Sequence, residues 1–303
     1  MLHNEQSLFE QIILRTSEDT GIEASIIEKD YYVTLFLRQI ASQLPNIIFK
    51  GGTSLSKCYK LINRFSEDID LNIETETHPT EGQRKMLKEV IVSLIDGFGF
   101  TLTNPDNIRS RRDYNRYIID YPTIFRTGCL KEHLIVETAV YIKAYPCKRM
   151  MASSMICDYL DRSGYKGLIE QYDLQPFALN VQSAERTLID KVFAVGDYYL
   201  SGAIYEHSRH IYDIYKLLDT VALDDSMKTL VQSVREERKP HVNCRSAKDG
   251  VDMNALLQEI IDKAAYKQDY ENITAKILFE ELPYEIAAAA LRKVIESGIF
   301  SIA

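Results

Sequence analysis

Asp68 and Asp70, in the stretch RFSEDIDLNIE, are the residues whose type and spacing first point to chemistry. Ile69, Leu71 and Ile73 alternate with Asp68, Asp70 and Asn72, which predicts a strand with one apolar and one acidic face. Residues two apart on a strand point the same way, so the two carboxylates share a side. Side by side they repel unless a positive charge lies between them. An oxygen-seeking cation, Mg²⁺ or Mn²⁺, supplies that charge and is usually also held by substrate phosphates. The alternative, for a lone D-x-D, is an acidic solvent face on an edge strand.

One short helix earlier stands FKGGTSLSK. An apolar strand, Gly51-Gly52, hydroxyl residues and a helix start leave backbone N–H groups unpaired and let a phosphate approach closely. Thr53, Ser54 and Ser56 add hydroxyls and Lys57 adds charge. The turn and the acid pair together predict a site for a metal-bound triphosphate. A two-metal site needs a further carboxylate. Glu137, the single acid in LIVETAVY, is the candidate, with Asp120 a weaker rival. Later come Lys191, beside Asp190 in QSAERTLIDKVFAVGDYYL, and Arg209, His210 and Asp213 in EHSRHIYDIYKLLD. Spacing alone leaves these open between surface ion pairs and phosphate contacts. Arg109, Arg111, Arg112 and Arg116, with Tyr114 and Tyr117 among them, suit an RNA backbone and unstacked bases, or else a solvated loop. A second basic strip, Arg235, Arg238, Lys239, Arg245 and Lys248, reads as an exposed helix end and loop.

The elements that must position these residues can be placed coarsely. Residues 5–16 and 24–43 read as helices, Asn46–Lys50 as a strand, and Thr53 or Ser54 as the cap of a helix running to about Ile62. A helix over 80–97 and strands at 99–103, Tyr117–Tyr121, His133–Tyr141 and Phe177–Val181 follow. From Ser183 onward the pattern is helical, over 183–200, 206–219, 225–238, 252–265 and 284–298. This predicts an α+β catalytic core over 1–180 and a mainly helical domain over 181–303 that carries Lys191 and Asp213.

Composition narrows the classes. The chain of 303 residues is 46% hydrophobic and 26% charged, as a globular protein is. Its net charge of −8 disfavours a protein that coats nucleic acid by charge alone. Cys58, Cys129, Cys147, Cys157 and Cys244 form no C-x-x-C, which argues against a disulfide framework or structural zinc and fits a reducing cytoplasm. His207 and His210 without a third ligand read as surface rather than metal. The start, MLHNEQSLFEQIILRT, lacks the basic opening of a signal peptide, and no apolar run nears the roughly 18 residues of a membrane span.

GGTSLSK, RFSEDIDL, the later T-L-x-[DE]-K and R-H-x-x-D-x-Y, together with the early IEKDYYVTLFL, resemble the AbiEii/AbiGii-type nucleotidyltransferases. These are toxins of type IV toxin–antitoxin and phage-abortive systems, within the polymerase-β-like nucleotidyltransferase superfamily. The resemblance covers roughly residues 25–220. It implies a polymerase-β-like core with a small mixed sheet flanked by helices. It also implies that Asp68 and Asp70 bind Mg²⁺, that Ser54 and the neighbouring backbone hold the triphosphate, that Lys191 contacts the nucleotide and that Asp213 completes the site. Ser66 matches a family serine at the site's rim. Position 190 is Asp where Glu is common, and nothing after about 220 matches a known motif. The expected reaction moves NMP from an NTP to an acceptor, by analogy the 3′ end of an RNA such as tRNA, and a cognate antitoxin is expected. Transfer to a protein hydroxyl, as in AMP-transferring relatives, is the alternative acceptor. A non-catalytic regulatory module is the other alternative, and the intact Asp68, Asp70 and Lys191 speak against it.

Overall fold

The computed structural model describes residues 1–75, 77–126 and 133–301, and it divides them between two compact units. The first unit takes Met1–Tyr59 and Ser66–Gln182; the second takes Lys60–Phe65 and Ser183 onward. The architecture is mixed α and β, as expected, although the sheet is larger than the small one foreseen. Cys129 lies outside the described residues.

In the first unit the described strands form a seven-stranded sheet of order β3-β4-β5-β2-β1-β7-β6. They are β1 (Ile47–Lys50), β2 (Asp68–Ile73), β3 (Thr101–Leu102), β4 (Tyr114–Asp120), β5 (Leu134–Ala139), β6 (Cys147–Ala152) and β7 (Phe177–Gln182). The β1/β7 and β2/β5 pairs are parallel, and β1/β2 is antiparallel. Ile69 and Leu71 of β2, Val136 of β5 and Phe49 of β1 are buried in the core with α2 (Ala24–Gln43), which packs on β2, β5 and β7 and in turn meets α1 (Gln6–Thr20) and α4 (Glu81–Gly97). Helix α4 starts where its sequence says: Thr80 accepts from the Gln83 N–H while Gln83 Oε1 accepts from the Thr80 N–H at 2.8 Å, a reciprocal cap. Three elements of this unit were not expected. Strand β6 and helices α5 (Met155–Arg162) and α6 (Lys166–Gln171) replace what reads as an irregular stretch. Among the described strands β6 is an edge strand paired only to β7, and its polar CKRMMA has no apolar alternation to reveal it.

Helix α3 (Gly51–Lys57) also departs from expectation. It begins at Gly51 itself, with Lys50 as N-cap and no side-chain cap, and it ends at Lys57 rather than near Ile62. The chain then passes into the second unit for Lys60–Phe65 before β2 begins.

The second unit is helical: α7 (Ala184–Ser201), α8 (Arg209–Leu217), α9 (Asp225–Arg238), α10 (Met253–Asp262), α11 (Lys267–Asn272) and α12 (Tyr284–Ser297). Ser183, Asp224 and Asp252 cap α7, α9 and α10 through side-chain oxygens, as N-cap residues do. Gly196 lets α10 approach α7 closely: a Cβ there would fall 2.8 Å from Ser246 Cβ and 3.1 Å from Leu256.

Candidate active site

Asp68 and Asp70 open β2 and face the same side of the sheet. Register sets their neighbours. Asp70 lies across from Lys50 of β1 and from Glu137 of β5, and Arg116 of β4 lies across from Glu137. Cross-strand partners project to one face, so Lys50, Asp70, Glu137 and Arg116 make a row with two acids inside and a base at each end.

The Gly-Gly turn meets this row at Gly51. Its φ is +76°, and a Cβ there would stand 2.0 Å from Asp70 Oδ2 and 2.9 Å from Asp70 Cγ. Only glycine permits both the left-handed backbone and the carboxylate packed against it. The acid pair and the first turn of α3 are thereby brought together, as the order of motifs predicted.

The hydroxyls of that turn point inward instead of toward a ligand. Thr53 donates to the Asp68 carbonyl at 2.6 Å and lies 2.9 Å from Ser66 Oγ. A hydroxyl has one proton, so Ser66 is the donor to Thr53. This clamp fixes the chain entering β2. Ser54 is fully buried and donates back to the Gly51 carbonyl at 2.8 Å. The Ser54 hydroxyl proton, expected at a phosphate, is used inside the helix here. The Lys57 side chain is likewise turned inward. It is buried, and its ammonium donates to Asp30 Oδ1 and Thr34 Oγ1, each at 2.5 Å, on α2. Its charge balances Asp30, which also accepts from the Met155 N–H at 2.8 Å.

The candidate third carboxylate has partners of its own. Glu137 stands beside Asp70 in register, but Arg116 Nε lies 3.5 Å from its Oε1. The Tyr114 hydroxyl bonds to it as well, and burial followed by the charge of Glu137 pushes that phenol above its ordinary range. Among the described residues no three His, Cys, Asp or Glu side chains gather as a metal-holding group. Asp120, the rival, pairs with His133. Of the tentative RNA contacts, Arg111 is exposed and meets Glu81 at 3.0 Å, while Arg112 donates to the Asn107 carbonyl at 3.2 Å.

Sequence reading missed a set of charges on α2. Glu28, Lys29 and Asp30 are consecutive and all buried. Glu28 accepts from the Thr123 hydroxyl and from the N–H groups of Ile124 and Phe125, between 2.7 and 2.9 Å. Burial still raises its pKa above the usual carboxylate range, against those bonds. Lys29 pairs with Glu67, the residue before Asp68. The signal was present in SIIEKDYYVTLFL: three charges inside an apolar helix each need a buried partner.

In the second unit, Lys191 on α7 and Asp213 on α8 are buried, with Lys191 Nζ 2.6 Å from Asp213 Oδ2. Arg64, also missed, donates through Nε to Oδ1 at 2.7 Å and through Nη2 to Oδ2 at 2.8 Å. Burial lowers the Lys191 pKa and Asp213 opposes it, while Arg64 and Arg209 lower it further. Burial would raise the Asp213 carboxyl, but Arg64 and Lys191 hold it well below the usual range. Asp190 is no surface neighbour of Lys191. It accepts from Arg186 at 3.2 Å and Arg238 at 3.3 Å, and Arg238 also donates to Asp197 at 2.6 Å. The second basic strip is corrected accordingly: Arg238 is buried, and Arg235 donates to the carbonyls of Lys248 and Val251. The rings of Tyr198, His207 and His210 lie nearly parallel, His207 and His210 at 5.9 Å between centroids, so the histidines stack rather than converge.

The profile of the nucleotidyl transferase AbiEii toxin, type IV toxin–antitoxin system, matches residues 35–294. The chain belongs to this family. It is a nucleotidyltransferase that uses an NTP, and the toxin half of a two-component system, which implies an antitoxin. The match extends well past residue 220, where the sequence alone offered no motif. Comparison with curated proteins gives no match. Among the described residues no helix is long and apolar enough to cross a membrane.

Proposed function

We propose that the chain transfers a nucleoside monophosphate from an NTP to an RNA 3′ hydroxyl, with tRNA as acceptor, in a Mg²⁺-dependent reaction. The observation that carries this reading is the carboxylate of Asp70 packed on Gly51, which joins the acid pair to the first turn of α3. Two adjacent carboxylates beside a phosphate-accepting turn fit Mg²⁺, which takes one or two carboxylates plus substrate phosphates. Asp68 and Asp70 would hold it, and when bound it supplies charge stabilisation at the transferred phosphoryl group and a lowered pKa for the attacking hydroxyl. The Thr53–Ser66 clamp on the Asp68 carbonyl holds that strand end in place. With the Thr53 and Ser54 hydroxyls turned inward, the N–H groups of Gly51, Gly52 and Thr53 bind the triphosphate, since no side chain caps α3. Lys191 binds nucleotide phosphate, held in its buried setting by the ion pair with Asp213. Arg111, Arg112 and Arg116 guide the acceptor's phosphates.

Incubation with each α-³²P-labelled NTP, Mg²⁺, total tRNA and a protein extract, followed by a denaturing gel, tests the reading. Label is expected in the tRNA band, and it should vanish with EDTA and in Asp68→Asn. Label in a protein band would move the acceptor to a protein hydroxyl. Equal labelling by Asp68→Asn would end the metal assignment.

A further inference from the structure

The structure assigns Arg64 as a positioning residue for Lys191, acting through the carboxylate of Asp213. The inference rests on Lys191 as a nucleotide contact, and it goes beyond that reading by naming what sets the lysine's place.

Arg64 lies on Lys60–Phe65, the segment between α3 and β2 in sequence that belongs to the second unit. Its backbone is held there on both flanks. The Phe65 N–H donates to the Ile277 carbonyl at 2.9 Å, and the Phe279 N–H donates to the Asn63 carbonyl at 2.9 Å. The Asn63 N–H donates to the Tyr212 hydroxyl oxygen at 2.9 Å, one residue before Asp213. Arg64 is therefore presented to α8 by a fixed backbone. Its side chain is 3% exposed, and each of its nitrogens has a partner: Nε and Nη2 on the two oxygens of Asp213, and Nη1 on the Phe65 carbonyl at 2.8 Å.

Asp213 is fully buried and both its oxygens are used, with Oδ2 shared between Arg64 and Lys191. Its role follows from that geometry. One carboxylate serves two buried cations, so it orients Lys191 rather than touching substrate. A carboxylate held at one oxygen can swing about its Cα–Cβ bond. One held by a planar fork cannot, and the ammonium bonded to Oδ2 inherits that fixed position. A lysine at position 64 would supply the charge but not the fork. Arg209 on α8 also acts on Lys191 by its charge, and Lys191 and Arg209 both act on the His210 imidazole of the same helix. Burial first, then Lys191 and Arg209, push the His210 pKa well below its ordinary range, and neither of its ring nitrogens bonds to Asp213.

The test compares Arg64→Lys, Arg64→Gln, Asp213→Asn and Lys191→Ala for NTP KM, RNA KM and the alkaline limb of the pH–rate profile. Arg64→Lys should lower kcat/KM for NTP by about 10–100-fold, the scale of a misplaced contact, and leave the RNA KM unchanged. Removing the Arg64 charge lets Lys191 hold its proton longer, so Arg64→Gln should move the alkaline limb to higher pH. Asp213→Asn should move it to lower pH. A purely structural Arg64 would lower the melting temperature while NTP KM and limb stay put, and that result overturns the inference. If Arg64→Gln does not fold, the charge-conserving Arg64→Lys still decides through NTP KM. An unchanged NTP KM in Lys191→Ala would show that the lysine reading itself is wrong. A raised KM there with a normal Arg64→Lys would sink the Arg64 role alone.

Discussion

Gly51→Ala tests the contact on which the active-site assignment stands. Two penalties are expected. Alanine at φ +76° enters the left-handed region, at about 1–2 kcal/mol. The new methyl would also meet Asp70 Oδ2 at 2.0 Å, and relieving such overpacking costs about 1–3 kcal/mol. Together they predict a loss of about 2–5 kcal/mol, or a melting temperature lower by about 4–20 °C for a domain of this size. The two parts separate in a double-mutant cycle. In an Asp70→Ala background the carboxylate is gone and only the 3.2 Å approach to the Asp70 Cβ remains. Gly51→Ala should then cost only the backbone strain, giving a coupling of about 1–3 kcal/mol. Urea unfolding of the wild type, both single variants and the double variant measures it. Nucleotidyl transfer by Gly51→Ala should fall about 100-fold, because the clash displaces Asp70. Additive single costs would refute the packing of Asp70 on Gly51, and so would a Gly51→Ala protein as stable and active as the wild type.

Three further outcomes are expected. Lys57→Met should destabilise by about 3–5 kcal/mol, because it strips a buried carboxylate of its charge partner, yet leave the NTP KM of the folded protein unchanged; a raised NTP KM would return Lys57 to the phosphate site. His3 is held down to about 4 by burial and then by the N-terminal charge. The unfolded chain therefore protonates it first, so its contribution to stability is complete above about pH 6.5 and is lost as pH falls toward 4. His3→Gln should flatten the melting temperature between those values, and an unaltered slope would contradict the assignment. Arg111→Gln with Arg112→Gln should raise the RNA KM, reduce the salt slope by about 1–2, and spare the NTP KM; no change in the RNA terms would leave both arginines as plain surface.

How much of this was legible in the sequence depends on what kind of signal each feature leaves. The acid-bearing strand showed itself because period-two alternation is written directly in Asp68–Ile73, and α2 because its apolar positions recur at helical spacing. The order strand, Gly-Gly, helix, D-x-D foretold the meeting of Gly51 and Asp70, since a glycine at left-handed φ and a close carboxylate leave no other residue type available. The side chains around that turn are harder to read for one reason. A hydroxyl or ammonium near a phosphate-type motif looks available in one dimension. Thr53, Ser54 and Lys57 are instead consumed by partners 3 to 27 positions away, Gly51, Asp68, Asp30 and Thr34 among them. The same holds for Glu137, whose arginine lies across a strand pair rather than along the chain. Arg64 is the strongest case. In sequence it is the polar start of RFSEDIDL. In the structure it is the fork that fixes Asp213, 149 positions on. Spacing rules see neighbours within a turn or a strand, so a buried charge announces only that it needs a partner. Which partner it finds is set by tertiary packing, and that partner decides whether a lysine is left for substrate, as proposed for Lys191 in the second unit, or closes the core, as Lys57 does in the first.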